Sequence, residues 1–188
     1  MVEIRRLTTA ELDDFLDFMG GAAFATNPQW AGCYCQFYLN TEAENAALDA
    51  DPSSKPAMNR ESACERIANG TMRGYLAYDG DKTIAWMAAN KANNFVALPP
   101  SSESAARILC FVVDQEHQGR GVATELLHFA INDLAEQGFE TVEAAPMASD
   151  KFESWGYRGK LSTFLKAGFV QGPMIDDKHC VVFRQLTV

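Results

Sequence analysis

Gly119 and Gly121 bracket Arg120 in the run Gln118-Gly119-Arg120-Gly121-Val122-Ala123-Thr124, where residue type and spacing come closest to specifying a chemistry. Glycine adopts backbone conformations closed to other residues and carries no side chain to hold a ligand away from the main chain. If a helix starts just after such a turn, its first N–H groups lack intrahelical partners and its dipole adds partial positive charge. The chemistry is therefore anion binding. A diphosphate is the natural ligand, and the Thr124 hydroxyl is a further donor. Pro, Asn or Asp would serve a plain turn as well, whereas paired glycines around an arginine suit an anion.

The flanking residues supply the elements that such a turn requires. Ile108-Leu109-Cys110-Phe111-Val112-Val113 is a short apolar, β-favouring run bounded by polar residues and reads as a buried strand. After the polar stretch Asp114 to Gln118, apolar residues recur at Val122, Leu126, Ala130 and Leu134, with Leu127 and Ile131 widening the stripe, so a helix follows. Two other nucleotide-binding turns are excluded by spelling. A P-loop ends in Gly-Lys-Ser or Gly-Lys-Thr, but Val122-Ala123 follows Gly121. A dinucleotide fingerprint needs a glycine at its sixth position, where this chain has Thr124.

The hexapeptide Gln118-Gly119-Arg120-Gly121-Val122-Ala123 resembles the Q/R-x-x-G-x-G/A signature of the GNAT superfamily, the N-acetyltransferases that bind acyl-coenzyme A. A second stretch carries the same resemblance. Lys166-Ala167-Gly168-Phe169 is similar to the Lys-x-Gly-Phe that ends a late helix in that family, beside the pantetheine and thiol end of the cofactor.

The rest of the chain can be read in order. Val2 to Leu7 alternates as a strand with one exposed face. Thr8-Thr9-Ala10-Glu11 is a capping box, with Leu7 and Leu12 as its hydrophobic staple, and predicts a helix from Thr9 that buries Leu12, Phe15, Leu16 and Met19 and stops at Gly20-Gly21. Asn27 to Tyr38 is crowded with aromatics, and Asp51 to Pro56 is a loop. A second helix runs from about Asn59 to Ala68. Met72 to Tyr78 and Thr83 to Ala89 form a hairpin across Asp79-Gly80. Lys91 to Ser104 is a loop. Gln137-Gly138 ends the central helix, Phe139 to Ala145 returns as a strand, and a right-handed βαβ crossover sets it parallel to, or splayed from, the strand Ile108 to Val113. Pro146 to Gly156 is a polar loop, followed by a short helix closed by Gly168 and a final strand, Cys180 to Leu186. This order matches the superfamily, which implies an α/β fold of one domain over residues 1–188. Its central sheet is mixed, mostly antiparallel, with a splayed parallel strand pair and flanking helices.

Composition narrows the function class. At 188 residues the chain can bury a sizeable core, and no stretch approaches the roughly 18 apolar residues of a membrane span. The amino terminus lacks the apolar region of a secretory signal, so a soluble cytoplasmic protein is expected. A net charge of −9 argues against a nucleic-acid surface and is compatible with a cationic amine substrate. The cysteines at 33, 35, 64, 110 and 180 are odd in number, with no disulfide framework or zinc spacing. Structural thiols are the plain reading, with a reactive Cys33 or Cys35 as the alternative. His117, His128 and His179 are scattered without metal-ligand spacing, although His117 beside the glycine turn could assist an anion.

The resemblance implies a reaction in which an amine attacks the thioester carbonyl of acetyl-coenzyme A while both substrates are bound. It implies that the backbone of Phe111, Val112 and Val113 pairs with pantetheine, that the N–H groups from Gln118 to Thr124 hold the diphosphate, and that Trp30, Tyr34, Phe37 and Tyr38 wall the acceptor pocket. Core packing is an equal reading for those four aromatics. The match breaks at the general acid. Many family members have a Tyr where this chain has Phe164, leaving Tyr157 and Ser162 as nearby proton donors. A thiol with a pKa of about 8.5 can also leave with solvent or backbone help. The base is open too: the Glu of the histone-acetylating branch corresponds to Arg107, leaving Glu143 and, behind it, Glu103, or a water chain. The leading expectation is acetyl transfer to a small-molecule amine, with no nucleic acid, no membrane and a homodimer as candidate assembly. The alternatives are a protein N-terminus or lysine as acceptor, or a non-catalytic coenzyme A sensor, which Phe164 favours.

Overall fold

The computed structural model describes residues 2–24, 27–148 and 157–187. Strand β1 (Glu3–Arg6) leads through a 3₁₀ turn into helix α1 (Leu12–Gly20), and helices α2 (Glu42–Ala50) and α3 (Lys55–Ala68) follow. Strands β2 (Gly74–Asp79), β3 (Lys82–Lys91) and β4 (Ala105–Val113) precede helix α4 (Val122–Glu136) and strand β5 (Thr141–Ala144). Helix α5 (Leu161–Lys166) and strands β6 (Val170–Met174) and β7 (Cys180–Gln185) complete the order. The strands form one sheet, β1-β2-β3-β4-β5-β7-β6, in which β4 and β5 are the parallel pair and the other neighbours are antiparallel. The mixed, mostly antiparallel sheet expected from the sequence is present.

Local signals account for most boundaries. Thr8 and Glu11 form the expected reciprocal cap, and Leu7 and Leu12 enter the same apolar cluster behind it. Helix α2 lies between the aromatic run Asn27 to Tyr38 and the loop Asp51 to Pro56, where no helix is expected from the sequence. Its start is another capping box, with Thr41 Oγ1 accepting from the Glu44 amide at 3.2 Å and the Glu44 carboxylate accepting from the Thr41 amide at 2.6 Å. Helix α3 begins four residues before the expected Asn59, because Pro56 sits in its first turn, where a missing N–H does no harm. Strand β6 was not expected: Gly172 and Pro173 interrupt its pattern, and its register with β7 shifts between Gln171 and Met174. Strand β5 is shorter than Phe139 to Ala145. Of the loop Pro146 to Gly156, residues 149–156 lie outside the described residues.

The sheet separates two cores. Helix α4 lays Val122, Leu126, Leu127, Ala130, Ile131 and Leu134 on one face, and Phe15, Leu16 and Met19 of α1 pack with Ala63 and Ile67 of α3 on the other. Strand residues alternate between the faces, as in Ala106 and Ile108 toward α4 and Leu109 toward α1. At Cys110 the alternation breaks. Met87 pairs with Phe111 but Ala88 pairs with Leu109, so Cys110 is an extra residue, and its φ of +52° is left-handed. Cys110 therefore stays on the α1 side with Val112, while Phe111 and Val113 join the α4 side. The β4–β5 ladder also ends early, its last pair being Ile108 with Ala144. Beyond that pair β4 continues alone, and the gap between the splayed strands is open.

Candidate active site

Two cavities meet at the open end of β4. The first, of about 730 Å³, runs from the splayed strands to the start of α4 and is lined by Phe111, Val113, Gln118, Gly119, Gly121 and Thr124, among others. Gly119 and Gly121 have φ of +75° and +89°, and Gly121 caps α4 without any side-chain hydrogen bond. A Cβ at either glycine would meet nothing within 4 Å. These glycines are needed for their left-handed backbone, and the space above them is open. Among the described residues the amides of Gly119, Gly121, Val122 and Ala123 have no hydrogen-bond acceptor, and that of Thr124 turns back to the Gly121 carbonyl at 2.9 Å. Several unsatisfied N–H groups at a helix start, opening into one cavity, fit a phosphate-bearing ligand.

The end of β4 completes this cleft. Asp114 donates its amide to Ile84 of β3, so by alternation Val112 also faces β3, whereas the amides of Phe111 and Val113 point into the splay. Of the three residues expected to pair with pantetheine, Val113 is the one whose amide faces the cleft without an acceptor among the described residues. The amide of Phe111 is donated to the carbonyl of Tyr157 at 2.6 Å. The Gln118 side chain donates to the Val113 carbonyl at 3.0 Å and ties the turn to the strand. Behind the turn, buried Asp114 accepts from the His117 amide and ring and from Lys82 at 2.9 Å. Burial alone would raise the Asp114 pKa, but these donors outweigh it and hold the carboxyl below its usual range. Asp114, Glu116 and His117 have metal-like spacing, yet Lys82 bridges both carboxylates.

The second cavity, of about 340 Å³, lies on the α1 side of the sheet. Its walls are Phe24, Trp30, Phe37 and Tyr38, with Cys110 and Val112 as the floor that the β4 bulge turned this way. Cys33 and Cys35 also line it. Burial raises the Cys33 pKa, while a hydrogen bond with Cys110, then burial, pushes that of Cys35 well up, so both stay thiols rather than nucleophilic thiolates. Arg158, Lys178 and His179 contribute the basic part of the lining.

Tyr157 belongs to both cavities. Its ring stands edge-on to Phe24 at 5.8 Å and to Trp30 at 6.0 Å between centroids. Burial raises its pKa, against a hydrogen bond with Asn27 that lowers it, and the net effect keeps the phenol protonated at neutral pH. Chemically, the arrangement is an anion cradle, a strand end with an outward amide at Val113, a largely apolar pocket and a phenolic proton at their junction.

The other expected site residues fall in varied places. Val122, Ala123 and Phe164 line the larger cavity with the glycines, whereas the exposed side chain of Arg120 does not. Phe164 is fully buried, edge-on to Phe111 at 5.8 Å and to Phe169 at 5.1 Å. Ser162 lines neither cavity, while its neighbour Thr163 lines the larger one. Trp30, Phe37 and Tyr38 line the smaller one, but Tyr34 is core: it packs against Phe15 with centroids 6.4 Å apart, and its hydroxyl closes over Gly20. Glu143 lies outside both linings. It pairs across the parallel strands with Arg107, Nε to Oε1 2.7 Å, and accepts from Ser101 at 3.0 Å. Glu103 is exposed and bonded to Lys91 and to Asn93. Sequence reasoning missed Arg158, Lys178 and His179 in the smaller cavity and Lys160 and Thr163 in the larger. Only chain folding brings them there, since none lies in a motif.

Comparison with known proteins agrees with this geometry. The model of the acetyltransferase (GNAT) domain matches residues 41–176, more than half of the chain. No curated relative matches the sequence. An N-acetyltransferase from Staphylococcus aureus Mu50 superposes with a TM-score of 0.60 at 15% identity, covering 100% of this chain and 99% of that one. PaiA N-acetyltransferase from Thermoplasma acidophilum, solved in complex with coenzyme A, gives 0.56 at 16% identity, with 98% and 99% covered. The ribosomal-protein-S18-alanine N-acetyltransferase from Escherichia coli gives 0.54 at 13% identity, with 100% and 96% covered. At such identities the superpositions speak for the fold. No helix among the described residues is long and apolar enough to cross a membrane. With a family model spanning the glycine turn, the splayed strands and the late helix alike, the chain belongs to the GNAT acetyltransferase family.

Proposed function

We propose that this protein transfers an acetyl group from acetyl-coenzyme A to a primary amine on a small molecule, with both substrates bound at once. The observation that carries the reading is the junction at Tyr157, where the anion cradle and the aromatic pocket share one side chain. Acetyl-coenzyme A supplies an activated carbonyl on a thiol leaving group. The amides of Gly119, Gly121, Val122 and Ala123 hold its diphosphate, and the Val113 amide is placed to align its extended arm against β4.

The smaller cavity, walled by Phe24, Trp30, Phe37 and Tyr38, orients the amine. The Tyr157 Oη holds a proton that can be delivered to the departing sulfur. Phe164, where many relatives carry Tyr, then has a packing role, and the donor comes from seven residues earlier in the chain. For the amine proton, Glu143 is engaged by Arg107 and Ser101, and no carboxylate lines the smaller cavity among the described residues. His179, held through Nδ1 by Asp176 at 2.9 Å, is the imidazole on that side.

The test is release of free thiol from acetyl-coenzyme A with an amine panel, alongside binding of coenzyme A by calorimetry. Thiol release that depends on the amine supports the reading. Tight binding without turnover favours a sensor, and neither binding nor turnover removes the proposal.

A further inference from the structure

The smaller cavity has a chemical bias that the whole-chain charge conceals. The protein carries a net charge of −9, yet this cavity is lined by the cationic side chains Arg158 and Lys178 and the imidazole of His179, with no carboxylate among its described lining residues. His179 is answered locally, its Nδ1 2.9 Å from Asp176. Arg158 is not. Its Nε and Nη2 donate to the same neutral atom, Tyr38 Oη, at 3.1 and 2.7 Å, and its guanidinium lies 5.2 Å from the centre of the Tyr38 ring.

A guanidinium has five N–H donors, so one phenol oxygen leaves Arg158 with donors to spare and its charge without a counterion among the described residues. A half-buried cation beside aromatic walls is poorly solvated and gains when an anion reaches it. The planar fork also matches an oxyanion geometrically, in a way a lysine does not. Arg158 does not line the larger cavity, so its position fits the acceptor rather than the anionic parts of coenzyme A.

We propose that the acceptor is an amine that also carries an anionic group, a carboxylate or comparable oxyanion received by Arg158, joined to the amine by an apolar or aromatic body. This rests on the acyl-transfer reading above and names the acceptor class within it. The aromatic walls receive the body, Tyr38 holds the guanidinium in place, and the Arg158 charge disfavours diamines and polyamines.

Four probes matched in shape separate the alternatives: 2-phenylethylamine, phenylalanine, 4-(2-aminoethyl)benzoate and 4-(aminomethyl)benzylamine. Each is titrated by calorimetry into the protein with coenzyme A and then assayed for acetylation. At least one of the two carboxylated amines is expected to bind tenfold or more tighter than the neutral amine, and the dication most weakly. Arg158→Gln, which keeps length and hydrogen bonding but removes charge, is expected to erase the preference, and Arg158→Lys to restore part of it. Equal or reversed preference, no binding by either carboxylated amine, or an unchanged preference in Arg158→Gln overturns the proposal. Thermal unfolding of each variant separates misfolding from lost recognition, and Tyr38→Phe, which frees the guanidinium, is expected to weaken the preference without abolishing it. Failure of coenzyme A to bind would defeat the acyl-transfer reading, whereas the order of amine affinities decides the acceptor class by itself.

Discussion

The amide of Phe111 donates to the carbonyl of Tyr157 across the gap between the splayed strands, at 2.6 Å. A bond of that kind would belong to a neighbouring strand in an unbroken sheet, and here it belongs to the residue that borders both cavities. It anchors Tyr157 by its backbone and leaves the phenol to work. Removing only the hydroxyl should therefore spare the structure. Tyr157→Phe is expected to lower kcat by about 100-fold, the usual size of a general-acid contribution, with the affinity for acetyl-coenzyme A within about twofold of wild type. Because the Tyr157 pKa is raised, the alkaline fall in wild-type kcat should lie above the ordinary tyrosine value of about 10, and the variant should lack it. Steady-state rates against pH, with calorimetric binding, check both statements.

Gly121 has φ of +89° with open space beyond it. Gly121→Val places a branched side chain in a left-handed conformation, which costs about 1–2 kcal/mol, and puts atoms where the diphosphate approaches. Affinity for coenzyme A should fall by about tenfold or more. An affinity equal to that of wild type would remove the diphosphate from this turn.

Glu143 separates a structural carboxylate from a catalytic one. Its hydrogen bonds to Arg107 and Ser101 hold β4 and β5 together just before they diverge. Glu143→Gln is expected to destabilise the fold by about 2–3 kcal/mol, because it leaves the buried Arg107 charge without its partner. Once folded, the variant should keep kcat within about threefold of wild type and an unaltered pH profile, which a lost base would not allow. Denaturant unfolding and kinetics on the same preparation give the answer.

Asp133 on α4 accepts from Arg6 of β1 at 2.8 Å, from the Tyr75 hydroxyl at 2.7 Å and from Gln137 at 2.8 Å. Burial would raise its pKa, but these donors together lower it. A carboxyl held below its unfolded value contributes stability that is complete above that value, about 3.9, and is lost as pH falls through the folded pKa. Wild type should therefore lose stability progressively below about pH 4. Asp133→Asn should be about 2 kcal/mol less stable at pH 7, with a shallower decline in acid. Urea midpoints from pH 3 to 7 would show the two curves converging, and parallel curves would count against it.

Much of the cofactor side was legible in the sequence because its signals are local. Paired glycines before a helical stripe specify a turn, a dipole and open amides within a few residues, and the stripe Val122 to Leu134 told which face is buried. Capping boxes are equally local, so Thr8 announced its turn, and Thr41 with Glu44 carried the same sign for the unexpected helix α2. The acceptor side has no such code. Tyr34 and Tyr38 are four residues apart in one aromatic run, yet one is core and the other lines the pocket, which depends on left-handed turns at Tyr34 and Cys35. The single extra residue at Cys110 decides which β4 side chains face each cavity, and strand alternation alone would have exchanged them. Arg158 meets Tyr38 across 120 residues, and Glu143 is claimed by Arg107 from the neighbouring strand. The sequence by itself determined the anion turn and the order of elements, because those follow from nearest-neighbour backbone chemistry. Only the tertiary structure decided the acceptor pocket and the freedom of its proton carriers, because these depend on which distant side chains fill or neutralise one another.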